Sequence, residues 1–283
     1  MLFRSLVDST SLGAVTTTRD YNAFGELRLA TATVTGPGEI YAEDLSRDAL
    51  GRITTKVETV LGVPTTTEYS YDLAGRLDTV SVNGALVRDY SYDANGNRLS
   101  SVPMGPVVGV YDDQDRLLED DRHSYTYTAN GELLSREETA SRQTTSYAYD
   151  VLGNLVSVGL PDGRQITYVI DGANRRVGKG VDGVLVQGFL YRDALNPVAE
   201  LDGAGNVVSR FVYGSKPNVP DYMLRGGNTY RILSDHLGSV RLVVNTSSGA
   251  VAQRIDYDEF GNITTDTNPG FQPFGFADRK STR

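Results

Sequence analysis

The chain has 283 residues, 39% of them hydrophobic, and carries 27 Lys and Arg against 36 Asp and Glu, a formal charge of −9. That balance repels nucleic-acid backbones and anionic lipid and argues against either as a partner. The absence of cysteine excludes disulfides and thiolate metal sites, and no apolar run approaches the ~18 residues of a membrane helix, so no membrane insertion is expected.

From the N-terminus, Met1 to Val7 is too short, and too interrupted by Arg4 and Ser5, for a signal peptide. Any export address is expected elsewhere. Residues 1–68 read as an irregular Thr-rich stretch holding two loose copies of a phrase, Tyr21-Asn22-Ala23-Phe24-Gly25-Glu26-Leu27 and Arg47-Asp48-Ala49-Leu50-Gly51-Arg52-Ile53. Residues 69–213 repeat that phrase most regularly, as Tyr71-Asp72-Leu73-Ala74-Gly75-Arg76-Leu77 and Tyr149-Asp150-Val151-Leu152-Gly153-Asn154-Leu155, with looser copies from Tyr92, Tyr111, Tyr127, Ile170 and Tyr191. The intervals from Tyr71 to Tyr191 are 21, 19, 16, 22, 21 and 21 residues. A period near 20 marks an array of supersecondary units.

The phrase has the chemistry of a turn. An Asp that opens a type I turn accepts a backbone N–H two residues on, and a Gly three positions later takes φ > 0 without a Cβ clash. Asp72 with Gly75, Asp93 with Gly96, Asp150 with Gly153 and Asp258 with Gly261 fit, and they are the expected structural turn residues. Between them lie Asn83-Gly84, Asp182-Gly183 and Pro161-Asp162-Gly163, which read as two-residue hairpin loops. The pairs Tyr69 and Tyr71, Tyr90 and Tyr92, Tyr125 and Tyr127, and Tyr147 and Tyr149 sit two apart, which places both rings of each pair on one strand face as wall aromatics. The expected fold is all-β: an antiparallel meander of hairpins winding, as strands accumulate, into a spiral, partly closed, shell-like sheet. Replacing Gly75 or Gly153 with Val is expected to destabilise it by about 1–2 kcal/mol, because a β-branched residue resists φ > 0. Thermal melts check this.

Two breaks punctuate the array. Val102-Pro103-Met104-Gly105-Pro106 cannot continue a central strand, and residues 214–229, containing Gly214 to Pro220, read as a linker or loop. Residues 230–283 form a variant end with Ser234-Asp235-His236-Leu237-Gly238-Ser239-Val240-Arg241, Tyr257-Asp258-Glu259-Phe260-Gly261 and Gln272-Pro273-Phe274-Gly275-Phe276.

Other candidates for chemistry have plainer explanations. Ser234, Asp235 and His236 are the residue types of a hydrolytic triad, but adjacent residues on an extended chain point apart. The clusters Asp112-Asp113-Gln114-Asp115 and Glu119-Asp120-Asp121 lack calcium-loop spacing and read as solvated loops. Leu201 to Asn206 is Gly-rich yet flanked by strands, hence a turn and not a phosphate loop. Arg175-Arg176 reads as part of a solvated strand face. No catalytic residue, metal site or cofactor is expected.

The Tyr-Asp-x-x-Gly series, followed by Asp235 to Arg241 and Pro273 to Phe276, resembles the YD repeats and the opening of the associated core of rearrangement hotspot (RHS) proteins, over most of the chain. The resemblance implies a hollow β-shell. Bacterial members are secreted or surface polypeptides that enclose a toxic C-terminal domain, and the related teneurins act in cell-surface adhesion. It also implies a fragment, since the family's self-cleaving aspartyl site and toxin lie beyond Phe276-Ala277-Asp278-Arg279-Lys280. The expected function is therefore structural and non-enzymatic, secreted or at the cell surface, with an enclosed polypeptide cargo as partner. The alternative is an adhesin or carbohydrate-binding module that presents its Tyr rows to glycans.

Overall fold

The computed structural model describes residues 6–102, 109–216 and 218–276, and every regular element among them is a β-strand. The chain opens with β1 (Ser9–Leu12), β2 (Val15–Tyr21), β3 (Leu27–Val34), β4 (Gly38–Arg47), β5 (Ile53–Val60), β6 (Val63–Tyr71), β7 (Leu77–Val82), β8 (Ala85–Tyr92) and β9 (Arg98–Val102). It continues through β10 (Val110–Tyr111), β11 (Leu117–Glu119), β12 (His123–Tyr127), β13 (Leu133–Glu138), β14 (Thr144–Tyr149), β15 (Leu155–Gly159), β16 (Gln165–Ile170), β17 (Arg176–Val181) and β18 (Val184–Tyr191). Last come β19 (Pro197–Asp202), β20 (Val207–Val212), β21 (Tyr222–Arg225), β22 (Asn228–Ser234), β23 (Val240–Asn245), β24 (Val251–Tyr257) and β25 (Ile263–Asp266). Strand order follows chain order through two meanders, β1 to β9 and β10 to β25. The expected proline break falls largely on residues 103–106, outside the described residues.

The turns explain the periodicity. The Asp72 N–H donates to the Arg76 carbonyl and the Gly75 N–H to the Asp72 carbonyl, both at 2.9 Å, while Asp72 Oδ1 accepts the Arg76 N–H at 2.9 Å. The same closure recurs at Asp93, Asp150 and Asp258, with φ of +82° at Gly75, +92° at Gly96, +79° at Gly153 and +84° at Gly261. The register slips by one residue at the end of each such hairpin, between Ser91 and Tyr92 or between Ala148 and Tyr149, which is a bulge that adds local twist. Asn83-Gly84 and Asp182-Gly183 form the second turn class, with positive φ at both central residues.

Pro161-Asp162-Gly163 is a correction. Leu160 N–H bonds the Arg164 carbonyl and Gly163 N–H the Leu160 carbonyl, so the turn is of the Tyr-Asp-x-x-Gly kind with Leu160 in the Asp place. The second class gains Leu61-Gly62 instead, with φ of +52° and +80°. A leucine carries no turn signature, so tertiary pairing of β5 and β6 overrides its preference.

The turn carboxylates make acid stability predictable. Asp93, Asp112, Asp150, Asp171 and Asp202 are held below the ordinary carboxylate range by a hydrogen bond from the side chain four residues on, and then by that residue's backbone N–H. For Asp72 the Arg76 backbone N–H leads. A depressed folded value means that stability is full above the unfolded value of about 3.9 and is lost as pH falls toward the folded values. Thermal melts should therefore be flat down to about pH 5 and drop steeply below about pH 4. Asp150→Asn keeps the Oδ1 acceptor and should make that drop shallower.

Two compact units emerge, both discontinuous in sequence. One comprises Met1–Thr67, Leu195–Ala199 and Val207–Arg283, the other Glu68–Ala194 and Glu200–Asn206. In the first, the N-terminal stretch expected to be irregular carries regular strands among its described residues. The strands β2 to β5 run for 7–10 residues, because β-branched Thr suits a pleated surface and part of each strand buries residues in a core. Val15, Ala32, Val34, Ile40, Tyr41 and Val60 from these strands pack on Leu233, Leu242 and Val244 of β22 and β23. The opposite face of β23 buries Val240 and Val243 with Phe211, Met223, Ile232, Ile255 and Phe274. Strand β23 thus carries apolar residues on both faces, Leu242 and Val244 on one and Val243 on the other. The Gln272 to Phe276 segment covers its second face, with Phe274 edge-on to Phe211 at 4.8 Å and the Val240 N–H donating to the Gly275 carbonyl at 3.2 Å. Residues 214–229, expected as a loop, contain β21, which pairs with β20 and β22.

Candidate functional site

In the second unit, the functional chemistry of the repeat lies in what joins one hairpin to the next. Tyr92 donates its hydroxyl to the Leu77 carbonyl at 2.6 Å, Tyr127 to the Leu117 carbonyl at 2.6 Å and Tyr191 to the Arg176 carbonyl at 2.8 Å. Each acceptor is the first strand residue after the preceding turn. The residue that follows the turn Gly or its equivalent closes a second link. Arg76 pairs with its own Asp72 at 2.7 Å, stacks 4.6 Å from the Tyr92 ring centroid and donates to the Asp93 carbonyl at 3.1 Å. Arg175 repeats this with Asp171, Tyr191 and Asp193. At two Asn positions the link runs turn to turn: Asn97 donates to Asp115 at 2.7 Å and Asn154 to Asn174 at 2.8 Å.

The expected wall aromatics fall into this pattern unequally. Tyr69, Tyr71, Tyr92, Tyr125, Tyr127, Tyr147 and Tyr149 are half-buried, and Tyr90 is buried beneath Arg98, whose guanidinium lies 5.6 Å from its ring centroid. Ser91, Thr126 and Ala148, the residues between three of the four tyrosine pairs, are exposed, so the rings of those pairs share a face, while Ser70 between Tyr69 and Tyr71 is half-buried. Tyr125 donates to Asp120 Oδ2 at 2.7 Å, and burial together with that carboxylate pushes its phenol up. The Arg175-Arg176 pair is not a freely solvated face, since Arg175 is tied to Asp171 and Arg176 stacks 4.0 Å from the Tyr168 ring centroid.

The Ser234 to Arg241 stretch is itself a repeat turn with Ser in the Tyr place. Asp235 N–H donates to the Ser239 carbonyl at 3.0 Å and Gly238 N–H to the Asp235 carbonyl at 3.1 Å, while Asp235 Oδ1 accepts the Leu237 and Ser239 N–H groups. Gly238 has φ +100°. At the tip, where Leu73 and Val151 elsewhere face solvent fully, stands His236. Its backbone N–H donates to Glu43 Oε2 at 2.9 Å and its Nδ1 lies 2.7 Å from Glu43 Oε1.

This turn resolves an electrostatic conflict within the first unit. Glu43 on β4 and Glu58 on β5 are direct cross-strand partners, both buried, and like charges in that position repel. His236 takes Glu43. Arg241 takes Glu58 at 2.7 Å and Asp256 at 2.9 Å, and Tyr41 donates its hydroxyl to Glu58 at 3.1 Å. Burial opposes the Arg241 charge, but Glu58 leads the groups that hold its pKa up. Tyr41 is pushed well up by burial and then by Glu43. Sequence reading did not single out Glu43 or Glu58. The available signal was a Glu flanked at two-residue spacing by Tyr41 and Leu45, a charge on the apolar face of a strand.

The geometry opposes a hydrolytic triad. Ser234 Oγ accepts the Lys216 ammonium at 2.9 Å, and His236 Nδ1 is engaged by Glu43. Asp112 pairs with Arg116, Asp115 accepts from Asn95 and Asn97, and Asp120 from the N–H groups of Arg122 and His123. No group of three or more His, Asp or Glu side chains among the described residues is placed to hold a metal ion. Leu201 to Asn206 is a repeat turn in which Asp202 accepts from Asn206. No helix among the described residues is long and apolar enough to cross a membrane.

Comparison with known proteins agrees with this repeat chemistry. Mouse Teneurin-4 is 28% identical over 269 residues, 91% of this chain and 9% of that protein. The tRNA3(Ser)-specific nuclease WapA of Bacillus spizizenii is 28% identical over 185 residues, 63% of this chain and 8% of its own. The crystal structure of TcdB2-TccC3-Cdc42 superposes with a TM-score of 0.43 at 13% identity, over 95% of this chain and 21% of that one. The chain thus spans less than a tenth of these two curated relatives. The family described as Teneurin YD-shell matches residues 4–279. Asp-Gly turns, tyrosine links and the closing Asp235 to Arg241 turn are thus the parts of a YD-repeat protein of the RHS type, and the chain belongs to the Teneurin YD-shell family.

Proposed function

We propose that the chain is a structural, non-enzymatic segment of a secreted or cell-surface shell that encloses a polypeptide cargo, a toxin or effector domain, carried by the same protein. The observation that carries this reading is where the recurring polar groups are engaged. The hydroxyls of Tyr92, Tyr127 and Tyr191, and the turn residues Arg76, Asn97 and Asn154, bind neighbouring hairpins. Such side chains build a continuous wall and leave no reacting constellation. Enclosure then acts sterically, by denying proteases access to the cargo. In limited proteolysis of the natural full-length polypeptide, the expected result is a downstream segment that survives at protease concentrations digesting the same segment expressed alone. Equal digestion of both would reject the reading.

The adhesin alternative keeps one foothold, since Tyr147 and Tyr149 meet no hydrogen-bond partner at their hydroxyls among the described residues. Saturable binding on a glycan array, lost in Tyr147→Ala and Tyr149→Ala, would favour it. Silence on the array would leave the shell.

A further inference from the structure

The first unit contains a cavity of about 40 Å³ whose lining includes Arg19 of β2, Lys216, Asp221, Arg231 of β22 and Ser234. Three cations and one carboxylate there leave a net charge of two positive units in a chain that is acidic overall. Their donors are incompletely used. Among the described residues the Arg19 guanidinium meets no carboxylate and no hydrogen-bond acceptor. Arg231 is buried, with 6% of its surface exposed. It donates through one Nη to Thr10 Oγ1 at 2.7 Å and lies 3.6 Å from Asp221, but its buried Nε has no partner. Lys216 donates to Ser234 Oγ and to the Asp235 carbonyl at 2.9 and 3.1 Å, leaving one ammonium hydrogen. A buried, unsatisfied guanidinium N–H is costly and calls for a ligand or water.

The cavity sits where the repeat departs from itself. Ser234 occupies the place that Tyr71, Tyr92, Tyr127 and Tyr149 fill in other turns, so a phenol ring is missing from this one. The volume exceeds the roughly 10–15 Å³ that a single water needs. Asp221 is already engaged by the Ser215 N–H and hydroxyl, so it cannot alone neutralise three cations. Burial, followed by the nearness of Arg19, lowers the Lys216 pKa, and burial leads the lowering at Arg231. Burial is the larger cause at both, and Asp235, Glu43 and Asp221 act on Lys216 in the opposite sense.

We propose that this cavity is a binding site for a small tetrahedral oxyanion of the phosphate class, held by Arg19, Lys216 and Arg231. An anion there joins β2 to β22 and to the 214–216 segment, so occupancy stabilises the first unit by mass action. Guanidinium forks and an ammonium are the donors suited to such oxygens.

The test uses the whole chain and inorganic phosphate as the probe, titrated against chloride at constant ionic strength. The expected result is saturable binding by calorimetry, with a melting temperature that rises along the same saturation curve. Arg19→Gln, at a half-exposed position where folding should survive, is expected to weaken phosphate binding by about tenfold or more, the scale of one charge-assisted hydrogen bond. Lys216→Met should weaken it as well while chloride melts stay near the parent. Phenyl phosphate distinguishes the source: binding by both probes supports a monoester group, and binding by inorganic phosphate alone supports a free ion. A linear, unsaturable phosphate response, acetate binding tighter than phosphate, or undiminished affinity in both variants would overturn the proposal.

Discussion

Arg241→Met should lower the stability of the chain by on the order of 3–5 kcal/mol, because it leaves buried carboxylates without their cation. Arg241 meets Glu58 at 2.7 Å and Asp256 at 2.9 Å, with its side chain 6% exposed and theirs 10% and 17%. The size of the loss reflects abandoned charge more than the strength of the pair itself, since desolvating three ions offsets much of their attraction. The triple variant Arg241→Met, Glu58→Gln, Asp256→Asn should therefore recover a large part of what the single variant loses. Urea denaturation midpoints at pH 7 provide the comparison. A triple variant no more stable than Arg241→Met would show that the guanidinium acts by packing alone. Double-mutant cycles between Glu43→Gln and Arg241→Met should also show coupling, because Glu43 and Glu58 face each other across β4 and β5.

A comparable loss is expected from a single methyl group at Gly13. This residue lies between β1 and β2 at φ +57°, and a Cβ there would stand 2.4 Å from the Thr246 carbonyl oxygen. That same oxygen accepts the Ala14 N–H at 2.7 Å, so the backbone cannot retreat without losing the bond. Left-handed strain of about 1–2 kcal/mol adds to about 1–3 kcal/mol of overpacking, giving roughly 2–5 kcal/mol for Gly13→Ala. Gly62→Ala is the matched control. Its φ is +80° but nothing lies within 4 Å of the added Cβ, so only the strain of about 1–2 kcal/mol should appear. Thermal melts of the two variants side by side separate conformation from contact. Equal losses would mean that the close approach to Thr246 is not held in solution.

The contrast between those two glycines marks how far the sequence was legible. Gly62 and Gly13 both take positive φ, yet only the fold distinguishes one that faces open space from one pressed on a backbone 233 residues away. The same holds for His236. Its turn is a repeat in all but the leading Tyr, and the hydrogen bonds of Asp235 to Leu237, Gly238 and Ser239 are local. That a buried Glu43 would meet its ring, 193 residues earlier in sequence, has no local cause. Leu61-Gly62 was illegible for the opposite reason: pairing of the flanking strands imposes a conformation that leucine disfavours.

By itself, then, the sequence determined the meander. A Tyr-Asp-x-x-Gly corner closes through hydrogen bonds within five residues, and a positive φ that Gly adopts freely needs no distant partner. Strand alternation likewise placed paired tyrosines on one face, because a side-chain period of two is a property of the extended backbone. Only the tertiary structure decided which strands carry a core on both faces, which charges are neutralised, and where three cations meet around a missing ring. Those outcomes depend on strands distant in sequence packing together within the first unit, and the interaction of Glu43 with His236 or of Glu58 with Arg241 exists only after that packing has excluded water.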